Sequence, residues 1–146
     1  MELLLAQVMI SCLNVPYIWG GSNPLTGLDC SGFAIWCLRS IGLWNSGDTT
    51  AQGLHNHFSK AKGSTYSIDY KFPKVGTLAF FGKSITEITH VGLIIEGRIM
   101  VEAGGGGSKT LTPDDAKKAG ACVRVMPLSR RPDLVALVSP WSQPTP

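Results

Sequence analysis

The chain has no run of like charge, no internal repeat and no apolar stretch approaching the ~18 residues of a membrane-spanning helix. Charge is scarce altogether: Asp, Glu, Lys and Arg make up 16% of the 146 residues, below the roughly 25% of an average soluble domain. With 44% hydrophobic residues, disorder is excluded. Thirteen bases against ten acids leave a net charge of +3, and the excess is scattered over the second half. A surface that tracks phosphates needs more than that, so nucleic acid is not an expected partner. The four cysteines (Cys12, Cys30, Cys37, Cys122) show neither CxxC spacing nor histidines at metal-ligand intervals, so no metal or cofactor is expected. An even cysteine count in a chain of this length does not by itself argue for a disulfide framework. The opening MELLLAQVMIS lacks a positive n-region and a cleavage site, and predicts a helix buried on most sides rather than a signal peptide.

What is present reads as one domain over residues 1–138 followed by a proline-rich tail, 139–146, lying on the surface or on a partner. After the first helix (2–13), residues 14–29 are rich in Pro, Gly, Asn and Thr and predict a loop. A second helix starts at Cys30 with Asp29 as N-cap and a stripe of Phe33, Trp36, Cys37 and Ile41. A third covers 50–61 with Thr49 or Thr50 as cap. From residue 75 the period changes to strands: 77–81, a hairpin of 89–95 and 98–103, then 122–126 and 134–138. Gly104–Gly107 predict a flexible loop. Thr112-Pro113-Asp114-Asp115 predicts the cap, N1 proline and acidic first turn of a short helix ending at Gly120. Helices first and an antiparallel sheet after is an α+β pattern.

One cysteine stands apart. Cys30 falls at the opening turn of a helix, against unsatisfied N–H groups and the positive end of the helix dipole, which favour a thiolate. A cysteine nucleophile also needs a base. Of the three histidines, His90 sits on a predicted strand among apolar neighbours, whereas His55 and His57 are read as solvated on a polar helix. Glu102, on the next strand, could orient His90, but the turn decides this. A strict two-residue Glu96-Gly97 turn pairs Val91 with Glu102 and sends His90 to the opposite face. A three-residue loop with Gly97 in the left-handed conformation places His90 directly across from Glu102, and this second register is preferred.

The order Tyr17-Ile18-Trp19-Gly20-Gly21, Asp29-Cys30-Ser31-Gly32-Phe33, a Gly-Thr-Leu-Ala-Phe-Phe strand and His90-Val91-Gly92 resembles the NlpC-type cysteine peptidases of bacterial cell walls, a compact papain-like group. The resemblance covers residues 5–103, about two thirds of the chain. It implies N-terminal helices packed on a small antiparallel sheet or partial barrel. It further implies Cys30 as nucleophile, His90 as base, Glu102 as the orienting third member and Tyr17 as a hydroxyl donor to the oxyanion. Asp29 and Ser31 match positions that hold the substrate's stem peptide, and Trp19 could line the cleft. The implied reaction is hydrolysis of an amide bond in the peptidoglycan stem peptide, between D-glutamate and a diamino acid, through a thioester.

The plainer readings are structural. Cys12, Cys37 and Cys122 lie in apolar periodic runs and read as buried hydrophobes. Trp36 reads as core, and Asp114 and Asp115 as servants of their helix N-terminus. A non-catalytic structural module and an amidase cutting the sugar–peptide junction are the competing functions. Without an appended wall-binding domain or export signal, the sequence also suits an enzyme acting at the cell wall or periplasm from a larger particle, with phage tail proteins as partners.

Overall fold

Leu5 and Met9, four residues apart, turn one side of helix α1 (Glu2–Ser11) into the fold, and both are fully buried. Leu3, Leu4 and Ile10 remain exposed, which corrects the expectation of burial on most sides. A helix this uniformly apolar encodes no preferred face, and the elements packed on it decide which residues are covered. The structure, a computed structural model, describes residues 1–142; none of the described helices is long and apolar enough to cross a membrane.

The segment read as a loop contains a two-stranded ladder, β1 (Ser22–Asn23) and β2 (Gly27–Leu28), that leads into α2 (Cys30–Ser40). The buried band of α2 runs through Phe33, Ala34, Cys37 and Leu38. Trp36, one step round the helix from Cys37, lies on the rim at 36% exposure rather than in the core. Cys37 meets Cys12 at the end of α1, where the two thiols share a hydrogen bond.

Helix α3 (Ala51–Phe58) is shorter than predicted, with the Thr50 hydroxyl capping it through the Gly53 N–H at 3.1 Å. Its inward residues are Ala51, Leu54, His55 and Phe58. That i, i+3, i+4, i+7 stripe carries His55 into the interior, edge-on to Phe80 at 5.2 Å, so His55 is not solvated as expected. His57 is half-buried and stands edge-on to Trp44.

Strands β3 (Thr65–Tyr66), β4 (Leu78–Ser84), β5 (Glu87–Glu96), β6 (Ile99–Gly104), β7 (Cys122–Pro127) and β8 (Leu134–Val138) form one antiparallel sheet ordered β3-β8-β4-β5-β6-β7. Of this sheet only β3 was not foreseen; exposed Thr65 and half-buried Tyr66 are too few to carry a readable period. Between β6 and β7, α4 (Pro113–Ala119) has the predicted capping box of Thr112 and Asp115, with left-handed Gly120 at its end. Cys122 is only half-buried, because it opens an edge strand.

Helices α2 and α3 pack across β5, and α2 also covers β6. Phe33, Phe58 and Phe80 fill the core between helices and sheet, while Phe81, Ile94, Met100 and Leu137 form a second cluster. Of the expected tail, Ser139 and Pro140 are buried and the Trp141 indole donates to the Val75 carbonyl at 2.8 Å. That start is therefore seated on the domain rather than projecting from it; residues 143–146 lie outside the described residues.

Truncating a fully buried aromatic removes transfer energy and leaves a cavity. Phe33→Ala should cost about 3–5 kcal/mol, and Trp36→Ala, on the same helix but at the rim, under about 1 kcal/mol. Urea unfolding of both variants measures the difference.

Candidate active site

Asp29 builds the platform for Cys30. One carboxylate oxygen accepts the Gly32 N–H at 2.7 Å and the Ser31 hydroxyl at 3.3 Å; the other accepts the Gly20 N–H at 3.0 Å. A single side chain thus caps α2 and ties it to the Tyr17–Gly21 loop. The Asp29 N–H completes the tie by donating to the Gly21 carbonyl at 3.0 Å. With Gly32 taken by the cap, the N–H groups of Cys30 and Ser31 keep no partner within the helix. The half-buried Cys30 side chain stands at this tip.

His90 comes from β5 and is 7% exposed, with the Cys30 thiol close enough to act on its charge. Its Nε2 lies 3.2 Å from the Glu102 carboxylate, itself 2% exposed. This contact is short but lies off the N–H axis, so it acts as an ion pair more than as an aligned hydrogen bond. With Nε2 turned to the carboxylate, the nitrogen left to exchange a proton with sulfur is Nδ1.

Neither anticipated register is present. The turn falls at Gly97-Arg98, with Gly97 left-handed as expected, and Ile95 is bulged between the pairs Ile94↔Met100 and Glu96↔Ile99. Continuing from Leu93↔Val101 puts Gly92, not His90, opposite Glu102. A Cβ on Gly92 would stand 3.5 Å from that of Glu102. His90 and Glu102 share a face as diagonal neighbours, and the Met100 sulfur takes up the space beside Gly92.

Burial opposes charge on the imidazole, but the interactions with Cys30 and the Glu102 carboxylate outweigh it and raise His90 from its ordinary 6.5 to about 9. Burial likewise opposes charge on Glu102, and the His90 contact with the Arg124 and Arg131 charges lowers its pKa. Tyr17 is displaced upward, first by burial and then by the negative fields of Cys30 and Asp29, so its phenol keeps its proton as a donor.

Tyr17, Trp19, Asp29, Cys30, Ser31, His90 and Glu102 all line one cleft of about 810 Å³. Tyr17 is 4% exposed, its N–H bonded to the Ala121 carbonyl at 3.1 Å; Trp19 is 53% exposed. The structure therefore brings together every site residue read from the sequence. Among the described residues no group of three or more His, Cys, Asp or Glu side chains converges as a metal site.

A family model described as NlpC/P60 matches residues 14–124. The chain belongs to the NlpC/P60 family. Its relatives include the bifunctional muramidase/DL-endopeptidase CwlT of Bacillus subtilis, 42% identical over 82 residues, covering 55% of this chain and 22% of that protein. The probable endopeptidase p60 of Listeria grayi is 33% identical over 91 residues, covering 62% of this chain and 16% of that protein. The chain thus spans about a fifth of the length of the curated relatives it matches. Among solved structures, the NlpC/p60 domain of the peptidoglycan hydrolase SagA superposes with a TM-score of 0.68 at 22% identity, covering 95% of this chain and 98% of that one. The P60 domain of an M. avium subspecies paratuberculosis antigen gives 0.68 at 22% identity, covering 94% and 93%. At that identity the likeness is one of fold.

Two features of this NlpC/P60 cleft escaped the sequence reading. The glycine run is more than a flexible loop: Gly104 ends β6, and a Cβ there would collide with the Glu102 carboxylate. A Cβ on Gly106 would collide with the Tyr17 ring. Both glycines are bare because functional side chains occupy the volume beside them. The second feature is a set of arginines, Arg124, Arg130 and Arg131, on the cleft wall. Their only trace in the sequence was the dispersed basic excess of the second half.

The His90 ring should titrate by NMR with a midpoint near 9, and Glu102→Gln should bring it down toward 6.5. The cation's contribution to stability is complete below about pH 6.5 and is lost as pH rises through about 9. For Glu102, whose folded pKa is depressed, stability is present above the usual carboxylate range and lost as pH falls through the lowered value. Gly104→Ala should fold, displace the carboxylate and shift the His90 midpoint in the same direction as Glu102→Gln. A midpoint unmoved in both variants would show that the carboxylate does not govern the ring.

Proposed function

We propose that this NlpC/P60 domain is a cysteine endopeptidase that hydrolyses an amide bond in the peptide stem of peptidoglycan, between D-glutamate and a diamino acid. The observation that carries the reading is the contact of Cys30 at the α2 tip with His90, whose other nitrogen faces Glu102 at 3.2 Å. The endopeptidase names of the curated relatives and the family match over 14–124 support the reading.

In the proposed reaction the Cys30 proton has passed to Nδ1 of His90 before sulfur attacks the scissile carbonyl carbon. The carbonyl oxygen becomes an oxyanion that accepts hydrogen bonds from the Tyr17 hydroxyl and a free backbone N–H at the α2 tip. Each such donor is worth roughly 10²–10³ in rate. His90 then gives its proton to the departing nitrogen, the C–N bond breaks, and a thioester remains on Cys30. Water, deprotonated by His90, attacks the thioester, releasing the carboxylate and restoring the thiol. Glu102 stabilises the imidazolium present between the two transfers. Asp29 and Ser31 are already engaged in the cap, so their role toward the stem peptide is to hold its binding wall in place. Trp19 offers an exposed aromatic wall on the same loop. The site of action is the bacterial cell wall.

Digestion of purified sacculi, followed by mass spectrometry, tests the proposal. Wild-type protein should release fragments with a new amine on the diamino acid, and Cys30→Ala should release none. Equal release by both proteins ends the thiol-hydrolase reading, and a new amine on the first residue of the stem peptide would instead indicate the sugar–peptide amidase. Absence of any product from either protein favours a structural module.

A further inference from the structure

The cleft is electrically lopsided. One wall is the Tyr17–Gly21 loop and the α2 tip, where Asp29 is the acid. The other carries His90, Glu102 and the three arginines. Two of these already have partners. Arg124 Nη2 lies 4.0 Å from the Glu102 carboxylate, which is also the counter-ion of His90 at 3.2 Å. Arg131 donates two hydrogen bonds of 2.9 Å to Asp133 while its guanidinium lies 5.0 Å above the Phe81 ring. Arg130 is exposed and makes no ion pair among the described residues, although it lines the cleft.

The backbone that carries Arg130 and Arg131 is held in place. Arg130 closes a 3-10 turn, Leu128–Arg130, whose Leu128 is 2% exposed in the second core cluster. The Leu128 N–H donates to the Arg98 carbonyl at 2.9 Å, and the Arg131 N–H returns to the Leu128 carbonyl at 3.2 Å. Phe81 in turn pairs with His90 across β4 and β5, their ring centroids 5.6 Å apart. Arg131 thus sits one ring away from the catalytic imidazole.

Chemistry then says which part of a substrate meets them. Resting on the endopeptidase reading above, His90 must protonate the departing nitrogen, so the residue that leaves lies on the His90 side of the thiol. That residue is the diamino acid. We propose that Arg130, with Arg131 fixed beside it, forms a carboxylate-binding site for the leaving residue and selects a diamino acid that bears a free side-chain carboxylate. A planar guanidinium matches a carboxylate with two donors, which an amide or an ammonium cannot use. Three guanidinium groups against Glu102 and Asp133 leave this wall net positive, so the bare ammonium of a lysine in the leaving residue is repelled.

The test uses three stem peptides identical except at the leaving residue: diaminopimelate, its side-chain amide, and lysine. For wild type, kcat/KM on the free carboxylate should exceed that on the amide and on lysine by about tenfold or more. Arg130→Gln should collapse this ratio toward one, and Arg130→Lys should restore part of the discrimination against the amide. Equal turnover of the three peptides by wild type overturns the proposal, as does an undiminished ratio in Arg130→Gln. Calorimetry with the Cys30→Ala protein supplies a readout independent of turnover: the free-carboxylate peptide should bind most tightly, and adding Arg130→Gln should remove that preference. If this binding preference is found but wild type cleaves no peptide, the carboxylate site stands and the hydrolase reading falls. If the peptides are cleaved without preference, the reverse holds.

Discussion

A proton can pass between Cys30 and His90 only if a helix tip and a strand are held within hydrogen-bonding reach of each other. Most of the local architecture serves that separation. Asp29 closes the first turn of α2 and simultaneously fastens it to Gly20, so the sulfur cannot move independently of the loop that carries Tyr17 and Trp19. On the opposite side, β5 is an interior strand paired with both β4 and β6, which holds His90 from two directions. The core beneath, with Phe33 of α2 packed among the buried residues of the sheet, sets the distance between the two elements.

Burial makes the arrangement possible and also opposes it. An imidazole this enclosed would ordinarily lose its proton, and a carboxylate as enclosed as Glu102 would ordinarily gain one. Each supplies the other's missing counter-charge, and the arginines behind Glu102 add to the effect. The pair is therefore charged where either member alone would be neutral. A glycine completes it sterically, since a Cβ on Gly104 would occupy the place of the Glu102 carboxylate that reaches His90.

Much of this was legible in the residue order. A polar helix start around Cys30 is unlike the apolar surroundings of Cys12 and Cys37, and the hydrogen-bonding habit of Asp at an N-cap is local enough to be read directly. The capping box at Thr112 and the left-handed Gly120 were equally local. Legibility failed wherever the outcome depended on distant partners. Uniform hydrophobicity along α1 could not say which side would be covered. The His55 stripe was obscured by polar residues on the same short helix. A bulge at Ile95 altered the pairing of β5 with β6 in a way no turn rule anticipated.

By itself, the sequence determined the class of fold and the helix that presents the sulfur, because caps, periodicity and turn residues act over a few positions, while Tyr17, Asp29 and Ser31 were implied by the family resemblance. Tertiary structure alone decided how His90 reaches Glu102, why the glycine run is bare and which arginines face the cleft. Those outcomes depend on strand register and on packing between segments far apart in the chain, where a shift of one residue redirects every side chain that follows.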